Sequence, residues 1–159
     1  GVKEIHPKQG LLKLPGMNNG VGEVRMMSNP SHLGLAVIEP MHGTALVVYL
    51  RKKNDSSYTR HVLDDDLKQG HAIATGDFLG LGRDQVVAGW RNPNKHGKIG
   101  VKLYIPSDEA GHAWTSYWID DNQMACEDLK SADLNGDGKL DIVAAGRVTK
   151  NLKIYWNRN

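Results

Sequence analysis

The chain has 159 residues, 40% hydrophobic and 24% charged, a size and balance that suit one globular domain. Its 20 basic and 18 acidic residues leave a formal charge of +2 with no basic block, so the footprint of a nucleic-acid binder is missing. No apolar run approaches the roughly 18 residues of a membrane span, and the lone cysteine, Cys126, excludes an intrachain disulfide.

Residues 1–19 carry no periodic pattern, and Pro15, Gly16, Asn18 and Asn19 mark a turn. A first unit covers about residues 20–58, with a degenerate loop at Ser28, Pro30 and Ser31 followed by A-V-I (36–38) and L-V-V-Y (46–49). A second unit, about residues 59–114, runs from V-L-D-D (62–65) through G-H-A-I-A-T-G-D (70–77) and V-V-A-G-W-R (86–91) to G-V-K-L-Y (100–104). A third, about residues 115–159, repeats that order as W-I-D-D (118–121), Asp133, I-V-A-A-G-R (142–147) and N-L-K-I-Y (151–155). Asp120 follows Asp64 by 56 residues, and Asp133 follows Asp77 by the same 56.

Each unit supplies a segment, a turn, a buried strand, an excursion and an alternating strand ending in Tyr, over roughly 50 residues, as one four-stranded propeller blade does. The expected fold class is therefore all-β, with about three four-stranded β-propeller blades. Propellers typically close with four to eight blades, so further blades or other chains are expected to complete the ring, the chain being either a fragment or an oligomer subunit.

Between the last two runs lies D-L-N-G-D-G-K-L-D (133–141). Asp133, Asn135, Asp137 and Asp141, with the backbone carbonyl of Lys139, place oxygens at alternate positions of a curled loop, the donor set a Ca²⁺ ion takes. A strand-like run follows, so the loop is not an EF-hand; its expected role is structural. The corresponding D-F-L-G-L-G-R-D (77–84) reads one residue shorter, lacks oxygens at Leu79 and Leu81, and is expected to turn without metal.

The run D-L-N-G-D-G-K-L-D-I-V-A-A-G resembles the FG-GAP/VCBS repeat of calcium-binding propellers. I-E-P-M-H-G (38–43), R-H-V-L-D-D (60–65), V-A-G-W-R (87–91), M-A-C-E-D-L (124–129) and N-L-K-I-Y-W-N (151–157) resemble the last blades of propellers related to aldos-2-ulose dehydratase. That resemblance implies a carbohydrate lyase that eliminates water next to a carbonyl of an oxidised sugar, located outside the cytoplasm in an extracellular or periplasmic space.

The chemistry is expected where the copies differ at one position. Glu23, His71 and Glu127 begin the innermost strands, and Glu39, His42, Arg91 and Arg147 follow the buried ones; unlike ionisable groups are costly to bury unless paired, metal-bound or in use. Such an eliminase needs a base, a donor for the enolate oxygen and an acid for the departing hydroxyl. With the resemblance, this implies His42 or His71 as the base or as ligand of a second divalent ion such as Zn²⁺ or Mg²⁺, Glu127 as ligand or acid, and Arg91 as carbonyl polariser. The structural alternative has the histidines satisfying backbone groups and Glu127 paired with Arg91 or Arg147. A second functional class is a calcium-stabilised propeller that binds a glycan or a protein without chemistry. Asp64, Asp65, Asp120 and Asp121 read as turn-formers, Cys126 as a core thiol, Trp114, Trp118 and Trp156 as packing residues, and His61, His96 and His112 as loop or surface groups.

Overall fold

The structure is a computed structural model and describes residue 12, residues 14–18 and residues 20–158. Asn19, residues 1–11, residue 13 and residue 159 lie outside the described residues; Pro15 and Gly16 form the expected turn.

Strands dominate because β-branched and aromatic residues alternate between Gly- and Asx-rich turns. The first sheet contains β1 (Val24–Ser28), β2 (His32–Glu39), β3 (Ala45–Lys52) and β4 (Thr59–Asp64) in that order. The second contains β5 (Gly70–Gly76), β6 (Gln85–Trp90), β7 (Gly100–Pro106) and β8 (Trp114–Asp121), and the third contains β9 (Cys126–Ala132), β10 (Asp141–Gly146) and β11 (Asn151–Tyr155). All pairs are antiparallel, the described residues form no helix, and no sheet closes on itself. The fold is all-β.

The sheets are out of step with the sequence copies. β4 bonds to β3 and β8 to β7, so the second and third copies each give their first strand to the preceding sheet. The third sheet, with no later copy among the described residues, has three strands.

The sheets stack through their faces, with β5 lying against both β1 and β9. Ile38, Leu46 and Val48 meet Ile73, Val86 and Trp90 between the first two sheets, and Val87 and Val101 meet Met124, Cys126 and Ile142 between the second and third. Burying each such side chain contributes roughly 1.5–3 kcal/mol. At Gly89 the sheets come so close that a Cβ would lie 2.5 Å from Cys126 Sγ. Leu14, Met17 and Val21 cover Val37, Val47 and Tyr49 on the first sheet's other face, whereas Leu152 and Ile154 of β11 stay 71% and 44% exposed.

A carboxylate joins each pair of sheets. Asp64 of β4 accepts from Lys102 Nζ at 2.9 Å and Tyr104 OH at 2.8 Å on β7. Asp120 of β8 accepts from Lys153 Nζ and Tyr155 OH on β11, both at 2.7 Å. Both also accept the turn N–H expected of them, from Asp66 and Gln123 at 2.9 Å. They are turn-formers and inter-sheet clamps together. On the first sheet Glu39 takes this place, accepting from Tyr49 OH and from Arg60 at 2.7 Å.

The loops at Asp77 and Asp133 have equal length, a correction to the sequence reading. Gln85 begins β6 where Asp141 begins β10, and its side chain joins the loop by accepting from Leu79 N at 3.0 Å, much as Asp141 accepts from Leu134 N at 3.1 Å. Trp114 packs on the core as expected, but Trp118 and Trp156 do not pack away: they are 39% and 45% exposed.

Candidate functional site

Turn geometry at one end of the first two sheets brings His42 to His71. The β2–β3 connection folds so tightly that a Cβ at Gly43 would stand 2.2 Å from Glu39 O, and His42 before it takes a left-handed φ of 56°. This hairpin end docks on the segment leading into β5: Gly70 N donates to Gly43 O and Leu67 N to Thr44 O, both at 2.9 Å. The imidazoles of His42 and His71 then lie 4.5 Å apart, centroid to centroid, tilted by 47°. Gly43→Ala is expected to force this hairpin open against Glu39 O, push it off its dock and lower the melting temperature, measured by thermal unfolding.

The second and third sheets supply the rest. His71 on β5 and Glu127 on β9 are neighbours because β5 lies against β9. His71 Nδ1 is 2.6 Å from the backbone O of Glu127. A carbonyl oxygen only accepts, so Nδ1 carries the hydrogen, and in the neutral ring Nε2 holds the lone pair. That nitrogen stands 3.8 Å from Glu127 Oε1, beyond hydrogen-bond reach and open to another partner.

Arg91, at the end of β6, reaches across to Glu127. Its Nη1 lies 3.1 and 3.0 Å from the two carboxylate oxygens, and its Nη2 donates to Gln69 Oε1 at 2.7 Å. Arg91 is 15% and Glu127 30% exposed at the side chain, so the pair is held but not sealed. The guanidinium has five donors and keeps some for a ligand.

All four residues expected from the sequence, His42, His71, Arg91 and Glu127, thus form one cluster. The structural roles occur as well: Glu127 pairs with Arg91, and His71 holds a backbone carbonyl. Glu23 pairs instead with Arg25 at 3.2 Å. Arg147 repeats Arg91, its N donating to Ala125 O as Arg91 N does to Gln69 O, both at 3.2 Å. Its side chain is exposed, with no next sheet among the described residues to meet. Gln69 escaped the sequence reading; its left-handed φ of 57° shows only in three dimensions.

Cys126 is a core thiol, fully buried, and burial foremost pushes its pKa up to about 12, so it is no nucleophile at neutral pH. His61 stacks on His112 at 5.1 Å, and burial, then His112, lowers its pKa. His96 is exposed beside Asp66.

In the 133–141 loop, Asp133 accepts from Gly136 N at 2.7 Å, Asp137 N at 3.2 Å and Gly138 N at 2.9 Å. These bonds help hold its carboxyl below the usual range. Asp141 is fully buried and accepts from Leu134 N and Asn157 N. The Asp77 loop makes the same turn, with Leu81 N and Gly82 N each 2.7 Å from the carboxylate. The two loops therefore share one backbone turn. The donors of the 133–141 loop are all oxygen, the type Ca²⁺ takes, and each carboxylate oxygen has a further lone pair to offer.

Among the described residues, neither the 133–141 loop nor the surroundings of His71 brings three His, Cys, Asp or Glu side chains together as an ion's ligands. No described helix is long and apolar enough to cross a membrane. No protein-family model and no curated protein matches the chain.

Proposed function

We propose that the chain is part of a β-propeller of the FG-GAP/VCBS kind, and that its His42, His71, Arg91 and Glu127 cluster eliminates water from an oxidised sugar next to a carbonyl. The observation that carries the reading is the His71 tautomer: a backbone carbonyl holds Nδ1–H, which leaves Nε2 as a base facing the cluster.

In this mechanism Nε2 of His71 takes the proton from the carbon beside the carbonyl. The C–H electrons move into the new C=C bond and the carbonyl oxygen becomes an enolate, stabilised by donors of Arg91 that Glu127 and Gln69 hold in place. The enolate then expels the hydroxyl on the next carbon. His42, 4.5 Å from His71, supplies the proton with which it departs as water. Glu127 acts as the orienter of Arg91, which its geometry favours over the role of acid. The test is incubation with a 2-keto hexose while the ultraviolet absorbance of a conjugated carbonyl product is followed. Growth of that band supports the reading, and its absence across keto sugars of differing configuration overturns it.

We further propose that the loop 133–141 takes Ca²⁺ through Asp133, Asn135, Asp137, the Lys139 carbonyl and Asp141. The ion would tie the start of β10 to the end of β9. Calcium at a hundredfold excess over its dissociation constant stabilises a fold by about 2.7 kcal/mol. The melting temperature should therefore rise with calcium and fall with a chelator; indifference to both contradicts the site. The exposed Leu152 and Ile154 of β11, at an open sheet edge among the described residues, favour a further sheet or a partner chain beside it.

A further inference from the structure

A second polar groove lies between the first two sheets, where the connections around residues 65–69 and 91–99 face each other across Trp118. Its volume is ≈ 560 Å³, inside the roughly 300–1,000 Å³ of small-molecule sites. One wall carries Asp64, Asp65 and Asp66, and the other carries Asn94, Lys95 and His96.

Trp118 lies against buried Trp90, and like its counterpart one copy earlier, Val62 at 48%, it stays partly exposed. Its indole is fixed all the same. Lys102 stands 5.0 Å and Lys98 5.3 Å from the ring centroid, Trp90 lies tilted at 5.4 Å, and the lysines are themselves anchored by Asp64 and Asp121. A large aromatic surface held rigid and left 39% exposed is preorganised for a ligand with an apolar face.

Hydrogen-bonding capacity is free on both walls. Asp65 is exposed and has no partner among the described residues. Asn94 spends its carbonyl oxygen on His96 N and Lys98 N, both at 3.0 Å, which leaves its NH₂ to donate. The aspartate wall repels anions and the lysines repel cations. A neutral ligand with an apolar face and hydroxyls that both donate and accept matches what remains.

We infer that this groove binds a neutral pyranoside unit of a carbohydrate chain, with its C–H face on Trp118 and its hydroxyls shared between Asp65 and Asn94. The connections that border it also carry Gln69 and Arg91, but the groove shares no lining side chain with the His71 cluster. The inference does not depend on the elimination chemistry.

The test is NMR titration of the ¹⁵N-labelled protein with cellotetraose, maltotetraose and chitotetraose, following the indole N–H of Trp118, assigned by its loss in Trp118→Phe. At least one oligosaccharide should shift that signal saturably. By calorimetry Trp118→Ala should weaken binding about tenfold, with Trp118→Phe retaining most of it. Asp65→Ala, on an exposed side chain that folding does not use, should weaken it about threefold, and His71→Ala should bind as the parent does. The groove assignment fails if none of the three shifts the signal, if binding is unchanged in Trp118→Ala and Asp65→Ala, or if His71→Ala abolishes it.

Discussion

His71→Ala is expected to lower elimination by a factor of about 10²–10⁴, the range a positioned general base contributes, while leaving the melting temperature within a few degrees. The ring is partly exposed and gives the fold one hydrogen bond, to Glu127 O. That bond contributes only ~1 kcal/mol, so structural loss stays small while the nitrogen proposed as the base disappears. His71→Gln can still donate to the carbonyl but has no comparable base; it should restore stability and not turnover. Equal loss of both in Ala and Gln variants would make the histidine structural.

Asp120→Ala should be strongly destabilising, at ~3 kcal/mol by denaturant titration. Asp120 is 7% exposed and holds Lys153 Nζ, Tyr155 OH and Gln123 N at once. Truncation leaves a part-buried ammonium and a phenol without their acceptor, and loosens β11, which has no outer neighbour among the described residues. The same clamp sets an acid limit. Burial alone would raise the Asp120 pKa, but Lys153, Tyr155 and Gln123 outweigh it and the net shift is downward; Lys102, Asp66 N and Tyr104 do the same for Asp64. A depressed carboxyl stabilises the fold above its unfolded pKa, about 3.9, and loses that contribution as pH falls through the folded value. Unfolding should set in below about pH 4, with a shallower pH slope in Asp120→Asn.

Much of this was legible because the second and third copies keep one offset as far as Arg91 and Arg147, and beyond a shorter connection in the third copy the register returns: Val86 pairs with Tyr104 as Ile142 pairs with Tyr155. The cluster was legible for the same reason. Where copies align, an imidazole against a carboxylate at one position marks a place where packing is not the constraint. The first copy was harder, because its register slips: Tyr49 pairs with Leu35, one residue from where the later copies place it, and Glu39 of its own sheet takes the clamp.

Other features have no local signal. That Asp64 and Asp120 bridge sheets depends on strands contributed by the neighbouring copy, and a turn aspartate looks the same with or without that partner. Gln85 hid the length of its loop because an amide replaced the carboxylate at the strand's start. Cover for Val37 and Tyr49 comes from Leu14, Met17 and Val21, in a stretch with no strand period. Trp118 was read as packing since aromatics usually bury, and only the gap between two connections leaves it open.

The most direct measurement is proton NMR of a 2-keto sugar incubated with the protein in D₂O. If His71 Nε2 is the base, the hydrogen on the carbon beside the carbonyl exchanges or is lost with the parent protein, and stays in place with His71→Ala. A hydrogen untouched by the parent, or lost equally fast with His71→Ala, contradicts the account.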